Sequence, residues 1–397
     1  MNIDGMKQSQ RSLSLVLLLI VLPIPARAGA GAAGLRHNDA DATGFQPRPD
    51  FSVNLQYPNV CEQWQFDARS PMACAPAVAA DRVFAGDDAG RLRALSLKTG
   101  APVWVFTASS PILSTPVAVD SRVVFASDDG SLCALKASNG KKLWQFAAEK
   151  PITAPLCVTN NMIYFGTGDG KLRALGLEDG QLVWRYTGVG GSIETRPLVC
   201  NGRVIFGASD GLLYALDEAT GLFLWRWNAR GDSGVMQPPV AVLAGASNPR
   251  LFVVAPDRTL SALDPATGNP IWRTDAWQLG PSIGAAGDGS RCYARTTTNG
   301  AILAFAAAAD HAEKLWELDA PLGGALNSAM MVEKEGVLYY GTKDGLLLAI
   351  DPRSGTLLWE HQLGATALNT VVPLDDPDEV LVSDVDGKIT RVGPRQH

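Results

Sequence analysis

Tryptophan returns in this chain at a nearly fixed interval. Trp64, Trp104, Trp144, Trp184, Trp225, Trp272, Trp316 and Trp359 lie 40, 40, 40, 41, 47, 44 and 43 residues apart. A period of this length means one supersecondary unit copied along the chain, which restricts the fold more than any other feature does. The longer intervals after Trp225 place added residues in loops between units.

Each unit repeats the same text. The cleanest copy runs Pro197-Leu198-Val199, Val204 to Gly207, Asp210-Gly211 followed by Leu212 to Asp217, then Thr220-Gly221 and Trp225. These are four short apolar runs divided by turn residues. One turn recurs as Asp129-Gly130, Asp169-Gly170, Asp344-Gly345 and Asp386-Gly387, with Asn299-Gly300 as a variant, and the pair supplies the positive φ values of a tight hairpin. A second recurs as Thr99-Gly100, Asn139-Gly140, Asp179-Gly180, Thr267-Gly268 and Ser354-Gly355. Four antiparallel strands per unit follow. Such a unit cannot bury both faces alone, but copies arranged radially can, so the pattern predicts an all-β, eight-bladed β-propeller.

The chain ends argue for a closed ring. The last unit, Val371-Val372-Pro373, then Val380 to Val382, Asp386-Gly387 and Ile389 to Val392, stops before its fourth strand. Trp64 sits in an orphan run, Cys61 to Phe66, ahead of the first full unit. The N-terminal strand is expected to complete the C-terminal blade. The eight periodic tryptophans are then wedges between blades, each contributing up to about 4–6 kcal/mol of gross burial free energy. Trp227 and Trp277 fall off the beat and are expected at the surface.

Residues 1–28 have the form of an export signal: Lys7 and Arg11, an apolar run from Leu13 to Leu22 too short to span a bilayer, and Ala26-Arg27-Ala28 as a cleavage site. Residues 29–50 read as a flexible lead and 51–397 as one propeller. The protein is expected to be periplasmic or secreted, with no lipoprotein anchor, no transmembrane segment and a monomeric state. With 40 acidic against 34 basic residues, it lacks the basic footprint of nucleic-acid binding. Of its six cysteines, Cys133, Cys157, Cys200 and Cys292 fall within strands, where buried thiols are ordinary, leaving Cys61 and Cys74 as the pair to weigh for a disulfide.

Several catalytic motifs dissolve on inspection. Gly207-Ala208-Ser209-Asp210-Gly211 matches a nucleophile elbow but stands at a blade turn and leads into a strand, not a helix. Gly166 to Lys171 lacks the spacing of a phosphate loop, and Asp384-Val385-Asp386-Gly387 lacks the first ligand of a calcium loop. His37, His311, His361 and His397 have no metal-ligand spacing, so neither a catalytic nor a metal constellation is expected.

The segments Ala215-Leu216-Asp217 to Trp225, Ala262-Leu263-Asp264 to Trp272 and Ala349-Ile350-Asp351 to Trp359 resemble the A-x-D-x-x-T-G-x-x-x-W repeat of the PQQ-like propellers, over residues 60 to 392. That family includes quinoprotein alcohol dehydrogenases, which hold pyrroloquinoline quinone (PQQ) and calcium, and BamB, a non-enzymatic subunit of outer-membrane protein assembly. The resemblance implies either a binding scaffold without a cofactor, with a protein partner drawn from that assembly machinery in the BamB manner, or a PQQ-dependent periplasmic oxidoreductase. The scaffold fits better: the chain has no Cys-Cys pair and little length for substrate-binding insertions. If the channel binds anything, the innermost strand, expected to begin just before each recurring proline, brings to its mouth Ser114, Thr115, Thr153, Glu194, Thr195, Arg196, Gln237, Ser282, Asn327, Ser328, Asn369 and Thr370. Arg196 is expected to pair with Glu194.

Overall fold

Between turn glycines, the apolar runs of the repeat are long enough for strands of three to eight residues and too short for anything else. The computed structural model describes residues 60–152, 154–228, 240–244, 249–319, 331–375 and 379–395. In residues 198–228 the strands Leu198–Cys200, Arg203–Gly207, Leu212–Asp217 and Phe223–Asn228 pair in chain order, all antiparallel. The same sheet recurs eight times. We number the blades 1 to 8: residues 77–107, 117–147, 157–186, 198–228, 240–274, 279–318, 332–362 and 368–394. The second and third strands are buried on both faces, as Val204, Ile205, Phe206, Leu213, Tyr214 and Leu216 show, because a blade packs on each side.

Blade 8 takes its fourth strand from the other end of the chain. Val60–Asp67 pairs with Lys388–Pro394, Trp64 opposite Arg391 and Phe66 opposite Ile389, with one irregularity at Gln63. The seam with blade 1 carries extra bonds. Arg391, ion-paired to Glu379, donates Nη1 to the carbonyl of Leu97 at 3.0 Å. Arg93 lies over the Phe66 ring at 5.9 Å, donates to the Ala68 carbonyl, and with Arg91 neutralises the fully buried Asp87.

The tryptophans join each blade to the next. The indole Nε1 donates to a carbonyl in the following blade's outer turn: Trp64 to Leu97, Trp104 to Ala137, Trp144 to Leu177, Trp184 to Glu218, Trp225 to Pro265, Trp272 to Ala309 and Trp316 to Pro352, at 2.8–3.3 Å. Trp359 packs on Tyr339, ring centroids 6.0 Å apart. Six of the rings also lie flat against the glycine of that turn, where a Cβ would stand 2.5–2.7 Å from the indole. The Thr-Gly of the repeat thus serves the neighbour's tryptophan as well as its own turn. Gly221 (φ +69°) meets Trp184 in this way, whereas Gly202 (φ +73°) faces open space. Alanine at either position costs about 1–2 kcal/mol of left-handed strain. Gly221→Ala is expected to cost more than Gly202→Ala in urea unfolding, and equal losses would show that the indole does not seat there.

Three expectations need correction. In the Asp-Gly turns only the glycine has positive φ: Gly130 (φ +84°) bonds back to the Ser127 carbonyl at 3.0 Å while Asp129 does not share the conformation. These are three-residue hairpin loops ending on a left-handed glycine, not two-residue ones. Trp277 is not a bare surface residue, since its half-buried ring meets Phe305 edge-on at 5.2 Å and Lys314 at 5.8 Å. Trp227 is likewise half-buried and packs on the core of blades 4 and 5. Cys61 and Cys74 are separate free thiols, Cys74 being fully buried with Sγ against the carbonyls of Gly86 and Ile112. Burial pushes its pKa up to about 12, which leaves the thiol unreactive.

Candidate binding site

The channel is walled by the innermost strands, and those of blades 1 to 4 begin after the recurring proline rather than before it. Pro76 precedes Ala77–Ala79, Pro116 precedes Val117–Val119, and Pro197 precedes Leu198–Cys200. Proline has no N–H for the ladder, so it ends the loop and the strand starts one residue later. In these blades the polar candidates therefore sit in the connecting loops.

Of the seven whose side chains are described, five work on the backbone. Thr115 Oγ1 accepts the Ala75 N–H at 3.3 Å, and Ser114 Oγ donates to the Ala126 carbonyl at 3.5 Å. Thr195 Oγ1 bonds both backbone groups of Gly207 at 2.9 Å. Thr370 pairs with Ser383, and Asn369 donates to the Met72 carbonyl across the ring seam. Glu194 accepts the Ser192 hydroxyl at 2.7 Å, while Arg196 donates Nε to the Leu156 carbonyl at 3.2 Å, so each has a partner other than the one expected. Thr153, Gln237, Asn327 and Ser328 lie outside the described residues, as does the side chain of Ser282.

A cavity of about 400 Å³ occupies the channel, lined from blades 1, 2, 3, 7 and 8 and from the loop before blade 4. Of the described candidates only Thr115 and Arg196 line it; its described wall is otherwise largely Val, Ala, Leu and Pro. Lys334 donates to the Leu374 carbonyl at 2.6 Å and pairs with Asp375, and Glu379 pairs with Arg391. Burial lowers the pKa of Arg196 from the usual arginine range. Calcium takes six to eight oxygen ligands, carboxylates among them. Here the cavity's carboxylates are held by cations, and among the described residues no three His, Cys, Asp or Glu side chains cluster as a metal site would need. The described residues do not fit a calcium-bound quinone.

The apparent motifs are turns. Ser209 takes the Ser192 N–H at 2.8 Å, Asp210 takes the Tyr214 hydroxyl at 2.5 Å, and the chain enters the strand Leu212–Asp217. Asp384 takes the Lys388 N–H at 2.8 Å, again closing a hairpin. At the matching turn of blade 2, partial burial of Asp129 is outweighed by hydrogen bonds from Ser109, Ser127 and Ser131, which hold its pKa at about 2. A depressed carboxylate stabilises the fold above its unfolded pKa of about 3.9 and loses that stabilisation as pH falls through its folded value. Asp129→Asn should therefore be less stable than the parent at pH 7, and the gap in thermal midpoint should close between about pH 4 and 2.

The rim offers a second surface, which the repeat alone did not reveal. Outer strands have no neighbour beyond them, and in blades 3 and 4 they expose Leu182, Val183, Phe223 and Leu224, with Leu222 of the preceding turn beside them, at 43–67% of full accessibility. The signal was present in the apolar residues that flank each tryptophan, Leu182-Val183 before Trp184 and Phe223-Leu224 before Trp225, which cannot all face inward in a strand of period two. Unpaired strand edges with apolar side chains are protein-binding features.

The profile described as outer membrane protein assembly factor BamB matches residues 61–187, 135–246 and 237–393. The chain belongs to that family. No curated protein matches it in sequence. Among solved structures, BamB from Moraxella catarrhalis is 20% identical with a TM-score of 0.69, covering 84% of this chain and 99% of its own. The computationally designed Ika8 protein is 19% identical (TM-score 0.69; 83% and 98% covered). Quinohemoprotein alcohol dehydrogenase ADHIIG from Pseudomonas putida HK5 is 12% identical (TM-score 0.70; 87% and 78% covered). At these identities the likeness concerns the propeller fold. Among the described residues no helix is long and apolar enough to cross a membrane.

Proposed function

We propose that this member of the family is an exported, non-enzymatic scaffold that binds a protein of outer-membrane assembly, as the BamB description suggests. The observation that carries this reading is the apolar edge of blades 3 and 4, which a partner's strand or apolar face would cover. The ring supplies rigidity: interlocked blades hold that edge in one shape, so little ordering cost falls on binding. In this role residues 1–28 are removed on export and the protein resides in the periplasm.

The quinoprotein alternative has a direct test. The purified protein is given PQQ, calcium and a panel of primary alcohols and sugars while dye reduction is followed. No turnover is expected. Turnover that disappears in Glu194→Gln, the one carboxylate of the expected channel ring, would replace the scaffold with an oxidoreductase.

A further inference from the structure

Asn139, Asn201 and Asn299 each precede a glycine. Such a pair is chemically reactive, because the glycine nitrogen has no side chain beside it and can attack the asparagine's own amide carbon. What holds the nitrogen and the amide decides whether it does. In the blade 2 turn Gly140 donates its N–H to the Lys136 carbonyl at 2.9 Å and lies under the Trp104 indole, and Asn139 Oδ1 accepts the Lys141 N–H at 3.1 Å. In the blade 6 turn Gly300 is buried, and Asn299 is held through Oδ1 by Thr296 and Ala301 and through Nδ2 by Asp319. Asn201 differs on each count. With Gly202 it forms an exposed two-residue loop between Cys200 and Arg203, both residues at positive φ (+49° and +73°). Among the described residues neither the Asn201 amide nor the Gly202 N–H has a hydrogen-bond partner, and a Cβ at Gly202 would meet nothing within 4 Å. Gly202 is tied through its carbonyl, to the Glu218 N–H at 2.9 Å, which leaves the nitrogen open. Blade 3 has Asn160-Asn161 at the same turn, where a side chain shields the nitrogen and Glu218 holds the Asn160 amide.

Arg203 adds an activating contact. Its Nη1 donates to the carbonyl of the peptide that joins Asn201 to Gly202, at 2.8 Å. A cation on that oxygen favours the anion left when the Gly202 N–H loses its proton, and that anion is the nucleophile. We propose that Asn201-Gly202-Arg203 is a self-modifying turn. The Gly202 nitrogen bonds to Asn201 Cγ, its proton passing to water, and the Cγ–Nδ2 bond breaks with loss of ammonia to leave a cyclic imide. Water then opens the ring at either carbonyl, giving aspartate or isoaspartate, so that one water is consumed and one ammonia released. Both products place a carboxylate in the loop that Arg203 closes, and the isoaspartyl form lengthens the backbone of that two-residue loop by one carbon. The site is independent of the rim and of the partner that the rim engages.

Peptide mass spectrometry of the mature chain, kept folded at mildly alkaline pH and fragmented so that aspartate and isoaspartate are told apart, tests it. Asn201 is expected to convert at least about tenfold faster than Asn139 and Asn299, which react only when their turns open. In the urea-unfolded chain the three should convert at similar rates. Arg203→Gln should slow Asn201 roughly 3- to 10-fold, the worth of one hydrogen bond, and leave Asn139 and Asn299 unchanged. Should that variant unfold, the folded and unfolded rates of the unaltered protein carry the test. An Asn201 that stays intact, one that converts no faster than Asn139 or Asn299, or a folded variant whose rate ignores Arg203→Gln would overturn the proposal.

Discussion

A chain that begins at Ser70, and so lacks the closing strand, is expected to lose about 5 kcal/mol or more of stability and to unfold without a single sharp transition. The strand Val60–Asp67 supplies the Trp64 wedge, the Phe66 ring in the core shared by blades 8 and 1, and the whole outer edge of blade 8. Removing one large aromatic from a core costs about 3–5 kcal/mol, and ordinary domains are stable by about 5–15 kcal/mol. Arg93 would also lose its ring and its Ala68 carbonyl while still holding buried Asp87. A chain beginning at Gln56 keeps the strand and is expected to match the parent. Urea unfolding followed by tryptophan fluorescence, with X-ray scattering for the radius, distinguishes the two; a compact, cooperative protein starting at Ser70 would mean that the ring does not depend on this closure.

Trp316→Ala is expected to cost about 3–5 kcal/mol, and Trp277→Ala about 1 kcal/mol. Trp316 is 8% exposed, donates to the Pro352 carbonyl at 2.8 Å and covers Gly355, so its loss leaves a cavity, an unmet carbonyl and an uncovered turn at one blade junction. Trp277 is half-buried at the margin of the core of blades 5 and 6, edge-on to Phe305 and beneath a cation, so less of its ring is lost from the core. Half-buried Trp144 should fall between them. Equal losses for Trp316 and Trp277 in equilibrium denaturation would show that position in the repeat does not set the role of the indole.

The repeat made the architecture legible because every blade solves the same packing problem with the same residues. One period identified the outer strand, its tryptophan and the turn glycine, though not that this glycine receives the indole of the neighbouring blade, and the two incomplete ends specified the closure. The channel was harder to read. Ser114, Thr115, Thr195 and Thr370 are polar and near the axis, but their hydroxyls serve nearby backbone groups or, at Thr370, a second hydroxyl, which sequence spacing does not encode. The start of the strand after proline shifted the register by a residue or two, enough to bring Val117 and Val119 to the wall while Ser114 stays in the loop. The apolar rim was hidden for another reason: Phe223 and Leu224 look like core residues until the strand is known to have no neighbour.

The scaffold reading meets its most direct test in the envelope of the source cell. The protein, tagged and expressed at its natural level, is isolated in mild detergent, and its bound proteins and absorption spectrum are recorded together. The expected result is an outer-membrane assembly component in near-stoichiometric amount, lost when Leu222 and Phe223 are replaced by Asp, with no quinone absorption. A quinone band with no such component, unchanged by those substitutions, would contradict it.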